Sequence, residues 1–435
     1  MKVFAMSVVL VLLAMTGMPA RDLSFDQALT LAREHSFVLK KGQADREAYE
    51  ERFRAALAER FPTLETTLLA SYKDAVPQLD IELPTGQSFT RDFGFNETYQ
   101  TDLRLQVPLF TGGKISGSID FNRSALDLHE ALLDAGDEQL TLTARIAYLS
   151  LNHADHVIAA SQAAVKRAEL TDRDVQALFA AGMADSVDIL EARRAANDAR
   201  LALRSAEIGR RQREIELITL LGLNPEGTLK LTSQPSEPAA MEITYSGVFP
   251  QKPDLEAAQA SIAMNRSLVT LSRSDYFPTL AVFGGWSYGK PNIDPFHDTF
   301  NDYFTVGATL NWSLNIGFKT GRNTAGAKHQ LIASQREYDR VSEQLDRNAR
   351  LALETLKLTR EQYETSLQNC TIAEDDYRLA QVKHRDGVLS ASRLLDIEAA
   401  LSQAESSLAG ARTGYHIAMS SYLYVIGSDR LKEGF

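Results

Sequence analysis

The 435-residue chain has a single cysteine, Cys370, so no internal disulfide can brace it, and no cysteine follows the N-terminal apolar segment to carry a lipid. It has no excess of positive charge: the formal net charge is −11, which argues against nucleic acid as a partner. It has no nucleotide-binding loop, no serine or cysteine elbow and no paired catalytic constellation at a strand end, so neither enzyme activity nor a cofactor is expected. Met1 to Ala20 contains Lys2, an apolar run from Val8 to Met15 and a small-residue end at Pro19-Ala20. That pattern reads as a secretory signal peptide, too short to span a bilayer. No other stretch is long and apolar enough for a transmembrane helix, so entry into a membrane would have to be made with strands.

What the chain does have is an internal duplication. Leu140, Ala144, Ala147, Leu151, Ala154, Ile158, Ser161, Val165 and Ala168 follow the alternating four-and-three spacing of a coiled-coil seam. The same spacing recurs 205 residues later as Leu345, Ala349, Ala352, Leu356, Thr359, Tyr363, Ser366, Cys370 and Ala373 (345 − 140 = 205). A returning seam of Ile189, Ala192, Ala196, Ala199, Leu203 and Ala206 is answered by Leu394, Ile397, Leu401, Ala404, Leu408 and Ala411 at the same offset. Gly112, Gly182 and Gly222 reappear as Gly317, Gly387 and Gly427, so neither arm has gained or lost a residue. Outgoing arms of roughly 65 residues at 1.5 Å each give helices on the order of 100 Å long, far beyond a globular helix. The expected fold is mainly α with a small β part, built from two structural repeats.

The boundaries follow from punctuation. The first repeat, 21–226, holds helices within 24–60, opened by the capping box of Ser24 and Gln27 and broken at His35-Ser36, then strands at about 62–73 and 98–110 and a hairpin at 113–222. Residues 227–253, with Pro235, Pro238, Pro250 and Pro253, form a linker. The second repeat, 254–427, holds a helix at 254–275, strands at about 278–289 and 302–315 and a hairpin at 319–426, leaving a short polar tail, 428–435. Phe61-Pro62-Thr63-Leu64 recurs as Phe277-Pro278-Thr279-Leu280 at an offset of 216 (277 − 61), which places the length difference in the connection Asp74 to Phe93, read as a surface loop.

The strands alternate. Phe304, Val306, Ala308, Leu310, Trp312 and Leu314 form one face, and Thr305, Gly307, Thr309, Asn311 and Ser313 the other. Leu103, Leu105, Val107 and Leu109 stand against Asp102, Arg104 and Gln106; Leu280, Val282, Trp286 and Tyr288, and Leu64, Leu68 and Tyr72, continue the pattern. Strands of about 10 residues, apolar on one side and polar on the other, suit an outer-membrane barrel, and equally a half-buried soluble sheet. Four strands cannot close a barrel, since the smallest use about eight. Either the sheet is soluble or several chains share one barrel.

The doubled order of helix, strands and helical hairpin resembles the TolC family of outer-membrane efflux proteins over the whole mature chain. The residues that carry the resemblance are Val107-Pro108-Leu109-Phe110-Thr111-Gly112-Gly113, the turn running from Ala181 to Ala192, and Leu220-Leu221-Gly222-Leu223-Asn224-Pro225. The resemblance implies a homotrimer whose 12-stranded barrel sits among the lipids of the outer membrane of a Gram-negative bacterium, continued by a helical tube across the periplasm. It implies that 227–253 forms an equatorial region. It further implies a passive exit duct of a tripartite efflux pump or type I secretion system, served by a periplasmic adaptor (membrane fusion) protein and an inner-membrane transporter of the RND, ABC or MFS type. In the family the hairpin turns form the periplasmic tip. Gly182, Met183, Ala184 and Ser186 in one copy, and Gly387, Val388, Leu389 and Ser390 in the other, then correspond to adaptor-docking positions. Entrance positions correspond to Asp188 and Glu191, and to Arg393 and Asp396, where relatives with an acidic ring carry acids; the family's gate-linking tyrosine is replaced by His384 and a tip arginine by Leu389. The charge swap suggests that Arg393 pairs with Asp188 or Glu191 of a neighbouring helix.

Other residues are read more simply. His153 and His156 lie three apart, but Asp155 points elsewhere and no third ligand is near, so no metal site is expected. Cys370 takes the seam place of Val165 as a small packing residue. His384 is read as a surface histidine, with a pH-sensitive gate as the alternative. Arg193-Arg194 and Arg210-Arg211 are read as solvated outer walls. The competing function is a secreted periplasmic coiled-coil binding or scaffold protein with a small soluble sheet.

Overall fold

The computed structural model describes residues 21–92, 94–238, 245, 251–294, 296–314 and 316–434. The expected signal peptide, 1–20, lies outside them, as does part of the linker between 239 and 250. In chain order the elements are β1 (Arg21–Leu23), α1 (Phe25–His35), α2 (Phe37–Ala58), β2 (Thr63–Tyr72), β3 (Gln78–Glu82), β4 (Ser88–Asp92), β5 (Glu97–Phe110), α3 (Lys114–Ala180), α4 (Ser186–Leu220), β6 (Leu229–Leu231), α5 (Pro253–Ser274), β7 (Thr279–Lys290), β8 (Asn301–Asn311), α6 (Lys319–Arg385) and α7 (Ala391–Ile426). The chain divides into two compact units, one of 44–130 and 257–339, the other of the segment up to Gln43 with 131–256 and 340–435.

The first unit carries the sheet. Its four strands run antiparallel in the order β2, β5, β7, β8. Residues paired across an antiparallel ladder share a face. Leu64 opposes Leu105, Leu103 opposes Trp286, Val107 opposes Val282, and Leu280, Gly284 and Trp286 oppose Leu310, Val306 and Phe304. The other face brings together Glu65 with Arg104, Thr67 with Asp102, Asp102 with Ser287, and Ser287 with Tyr303. The register therefore collects the alternation of all four strands into one apolar and one polar face. On β2 and β8 the apolar side chains are bare, Leu68 and Phe304 each being 77% exposed, while Val107, Leu280, Val282 and Trp286 between them are half-buried. β2 and β8 each keep one edge without a strand partner among the described residues.

Two expectations are corrected here. The connection between β2 and β5 is not a plain loop but contains the β3–β4 hairpin, in which Leu79 and Ile81 face Arg91 and Phe89 in register. β8 stops at Asn311, short of the expected 315, because β7 begins opposite it at Thr279; Trp312 instead donates from its indole Nε1 to the Tyr276 carbonyl at 3.2 Å.

The second unit carries most of the hairpins. The seam holds throughout: Ala144, Leu151 and Leu356 are fully buried, Ala349 likewise, and no seam residue of α3, α4, α6 or α7 is exposed. α1 starts at the Ser24–Gln27 capping box, both halves of which form, and lays Phe25, Ala28, Leu29 and Ala32 on Ala144, Tyr148 and Leu151. β1 and β6 pair in parallel beside them, β6 lying inside the expected linker, with Leu23, Leu229 and Leu231 turned into the core. A second cluster, Ala349, Leu353, Leu356, Tyr415, Ala418, Tyr422 and Ile426, occupies the matching place in the second repeat. The expected polar tail is docked: Asp429–Lys432 forms a 3-10 turn, Leu431 is buried, and Arg145 donates to the carbonyls of Leu431 and Glu433 at 3.1 and 2.7 Å.

Arg210 and Arg211 are also not a solvated wall. Both bind Glu214, which is 1% exposed, at 3.0 and 2.7 Å, and the same carboxylate accepts the Leu229 amide at 2.7 Å. Burial pushes the Glu214 carboxyl up, and these three hydrogen bonds outweigh it, holding the group below the ordinary carboxylate value.

Candidate functional site: the two hairpin turns

The turn of the first hairpin is built from local rules. α3 ends in a Schellman arrangement: Met183 N–H donates to the Leu178 carbonyl at 2.8 Å and Gly182 N–H to Phe179 at 2.9 Å. Gly182 sits at φ +73°, a conformation that costs glycine little and other residues more. Asp185 then caps α4, accepting from the amides of Val187 and Asp188 at 2.7 and 3.0 Å, while the Asp188 carboxylate accepts from Asp185 N–H at 3.0 Å. Asp188 is thus held by its own helix. Met183 is exposed, as are Gly182 and Ser186; Ala184 and Glu191 are half-buried.

The second turn repeats the backbone and changes the side chains. Val388 N–H donates to Lys383 at 2.9 Å and Gly387 sits at φ +72°. Ser390 caps α7 through the Arg393 amide at 3.3 Å, but Arg393 stands where Asp188 does in the first turn, so the reciprocal half of the capping box is missing. The Arg393 guanidinium instead reaches Asp396 on the same helix at 3.8 Å, both side chains being exposed. Among the described residues Arg393 makes no ion pair with Asp188 or Glu191 of its own chain. Val388 and Ser390 are exposed and Leu389 half-buried.

His384 departs from its reading as a surface residue. It is 7% exposed, and its Nδ1–H donates to the Leu389 carbonyl at 2.9 Å, pinning the turn from inside. Its Nε2 is buried without a partner. The sequence hides this, because a histidine three residues before a turn glycine looks the same exposed or tucked under the turn.

Behind the turns lies a polar cluster that sequence reading missed. Arg167 of α3 grips Glu405 of α7 with both terminal nitrogens, at 3.0 and 2.8 Å, and Ser402 at 3.1 Å; one turn on, Thr171 donates to Glu398 at 2.6 Å. Glu398 is buried between α3 and α7, and Tyr377 of α6 reaches it too. The outgoing helix of repeat one is thereby tied to the return helix of repeat two. Polar residues more than 200 positions apart carried no sequence signal linking them. Among the described residues no cluster of side chains fit for a metal ion is found, and His153, half-buried, packs near Gly410.

Two units, an amphipathic four-stranded sheet with open edges and a doubled coiled-coil hairpin with glycine turns, define the class of tandem-repeat channel-forming proteins with the TolC-like fold. The chain belongs to the outer membrane efflux protein family, whose model matches residues 28–223 and 246–423. It is similar to the pyoverdine export outer membrane protein OpmQ of Pseudomonas aeruginosa, 27% identical over 293 residues, or 60% of this chain and 57% of that protein. The match thus spans little more than half the length of that relative. The fold is shared with CusC, at a TM-score of 0.80 with 15% identity over 94% of this chain and 92% of that one. It is shared also with the outer membrane protein VceC of Vibrio cholerae, at 0.78 with 17% identity over 93% and 96%, and with the CmeC outer membrane channel of Campylobacter jejuni, at 0.76 with 16% identity over 93% and 85%.

Proposed function

We propose that three copies of this chain form a passive exit duct in the outer membrane of a Gram-negative bacterium. A periplasmic adaptor and an inner-membrane transporter deliver cargo to it, and the energy comes from that transporter. The turns at Gly182 and Gly387, with Met183, Ala184, Ser186, Val388, Leu389 and Ser390, are the adaptor-docking tip. Asp188, Glu191, Arg393 and Asp396 line the entrance, and His384, buried under the second turn, braces it from behind.

The observation that carries the assembly is a repeated contact of which one chain makes only half. The contact of Arg167 and Thr171 with Glu398 and Glu405 joins the outgoing helix of repeat one to the return helix of repeat two. At the offset of 205, its counterpart would join Ile372 and Asp376 to Arg193 and Arg200. In one chain all four are exposed, whereas Thr171 and Glu398 are buried. Asp376 and Arg193 are complementary in charge, so a second copy can supply the missing half. The bare edges of β2 and β8 ask for the same neighbour, because unpaired strand edges are not tolerated in lipid. A threefold ring would satisfy every edge and bring four strands per chain to twelve.

The test pairs Asp376→Cys with Arg193→Cys in a Cys370→Ala background. The expected result is an oxidant-dependent ladder ending at a linked trimer, found in the outer-membrane fraction and released only by detergent. A soluble periplasmic monomer that gives no cross-link would overturn the reading in favour of a scaffold protein.

A further inference from the structure

One cation serves two carboxylates in the cluster behind the turns. Arg167 is committed to Glu405 through both terminal nitrogens, and Glu405 lies half-buried beside it. Glu398, 6% exposed and two turns earlier on α7, is left with the hydroxyl of Thr171 at 2.6 Å and the phenol of Tyr377. Both donors are neutral: they hydrogen-bond the carboxylate but bring no counter-charge to offset its burial. The other groups around it do not repair this. From α6, His384 keeps its Nδ1 on the Leu389 carbonyl, with Nε2 buried and unpartnered. From α4, Glu191, Arg194 and Asp198 line the groove that Glu398 also borders, and Asp396 of α7 lines it too. Three acids against one arginine there add no net positive charge.

We propose that the Glu398 carboxyl is a proton-controlled latch: protonated, it holds α3, α6 and α7 packed below the turns, and ionised, it releases them. Burial raises its affinity for a proton, against the opposing pull of Thr171, Arg167, His384 and Tyr377. A carboxyl whose proton is held more tightly in the packed state stabilises packing at low pH, and that contribution is lost as pH rises through the packed-state value. The device needs only one chain, so it stands whether or not the duct reading does. It has no equivalent in the first repeat, where the position of Glu398 is held by Arg193, exposed.

Hydrogen exchange of the purified full-length protein in detergent tests this. Peptides covering Arg167 to Ala181 and Tyr377 to Glu405 would be followed from pH 5 to pH 8, with rates compared at each pH between wild type and Glu398→Gln to cancel intrinsic chemistry. The expected result is equal protection at pH 5 and faster exchange in wild type at pH 8, by about tenfold for each unit of separation between packed and released states. Two further variants read the mechanism rather than stability. Glu405→Gln frees Arg167 to neutralise Glu398 and moves the midpoint down; Thr171→Val removes a donor to the carboxylate and moves it up. A wild-type profile that matches Glu398→Gln at every pH, or midpoints unmoved in both further variants, would overturn the latch.

Discussion

The two repeats share a backbone and differ in their polar chemistry. At the apolar seam, Ala144 and Ala349, and Leu151 and Leu356, are interchangeable and equally buried. Away from it, Tyr148 is answered by Leu353, Glu214 by Met419, Arg211 by His416, Asp188 by Arg393 and Thr171 by Asp376. Close helix packing tolerates few shapes, so the seam is constrained in both copies by the same geometry. A polar side chain is constrained only by whatever faces it. The first copy faces α1, β1 and β6, and its Arg145 also holds the tail, which lies against α7 of the second copy. Duplication thus preserved the wall and let each copy acquire its own ties.

The largest expected effect comes from the tie found only in the first repeat. Glu214→Ala removes the shared partner of Arg210, Arg211 and the Leu229 amide; Arg210 keeps Asp155 and both arginines keep backbone carbonyls, so the loss is expected near the lower end of the about 3 to 5 kcal/mol typical of breaking a buried pair. Thermal melting in detergent should show it, while Met419→Leu at the matching place costs under about 1.5 kcal/mol. Comparable losses at the two positions would mean that the repeats do not differ in their ties.

The second effect depends on pH and belongs to the second repeat. His416 is driven down to about 4 by burial, with the charge of Arg412 adding to the shift. The unfolded chain takes up this proton near the ordinary histidine value while the folded chain resists, so stability falls as pH drops from about 6.5 toward 4, by at most about 1.4 kcal/mol per unit. His416→Gln should flatten that part of the melting-temperature profile. An unchanged slope would show that the second repeat is not limited there. Smaller again is Tyr148→Phe. The phenol oxygen lies 3.1 Å from the Leu23 carbonyl and accepts the Ser233 amide at 3.1 Å, so its loss costs about 1 to 2 kcal/mol, against nothing comparable at Leu353.

The repeat, both seams, both turns and the four long strands were legible because each obeys a period or an offset. Expected strand limits of 62–73 and 98–110 stand against Thr63–Tyr72 and Glu97–Phe110. What stayed hidden has no period. β1 and β6 are three residues each and pair across more than 200 positions. The β3–β4 hairpin carries its turn at Pro84-Thr85-Gly86 inside a connection that sequence comparison marked only as longer. Arg210 and Arg211 look like surface charge until Glu214, one helical turn away, is seen to be buried. At the turns, sequence found the glycines and the charge swap but not the burial of His384 or the cluster around Glu398, since these depend on which helix lies opposite.

The smallest effect is the one that returns the second turn to the chemistry of the first. Arg393 occupies the third position of α7, where a positive charge meets the positive end of the helix dipole and cannot accept the Ser390 amide. Asp396, at 3.8 Å and exposed, offsets little of this. Arg393→Glu completes the capping box and should stabilise the turn by about 0.5 to 1 kcal/mol, read as slower hydrogen exchange from Ser390 to Leu395. Arg393→Ser separates that local gain from any role in closing the duct. If the arginine pairs with Asp188 or Glu191 of a neighbouring chain, the serine variant, which removes the charge without completing the capping box, raises single-channel conductance in planar bilayers. Unchanged conductance would leave Arg393 as a local defect of the second turn and nothing more.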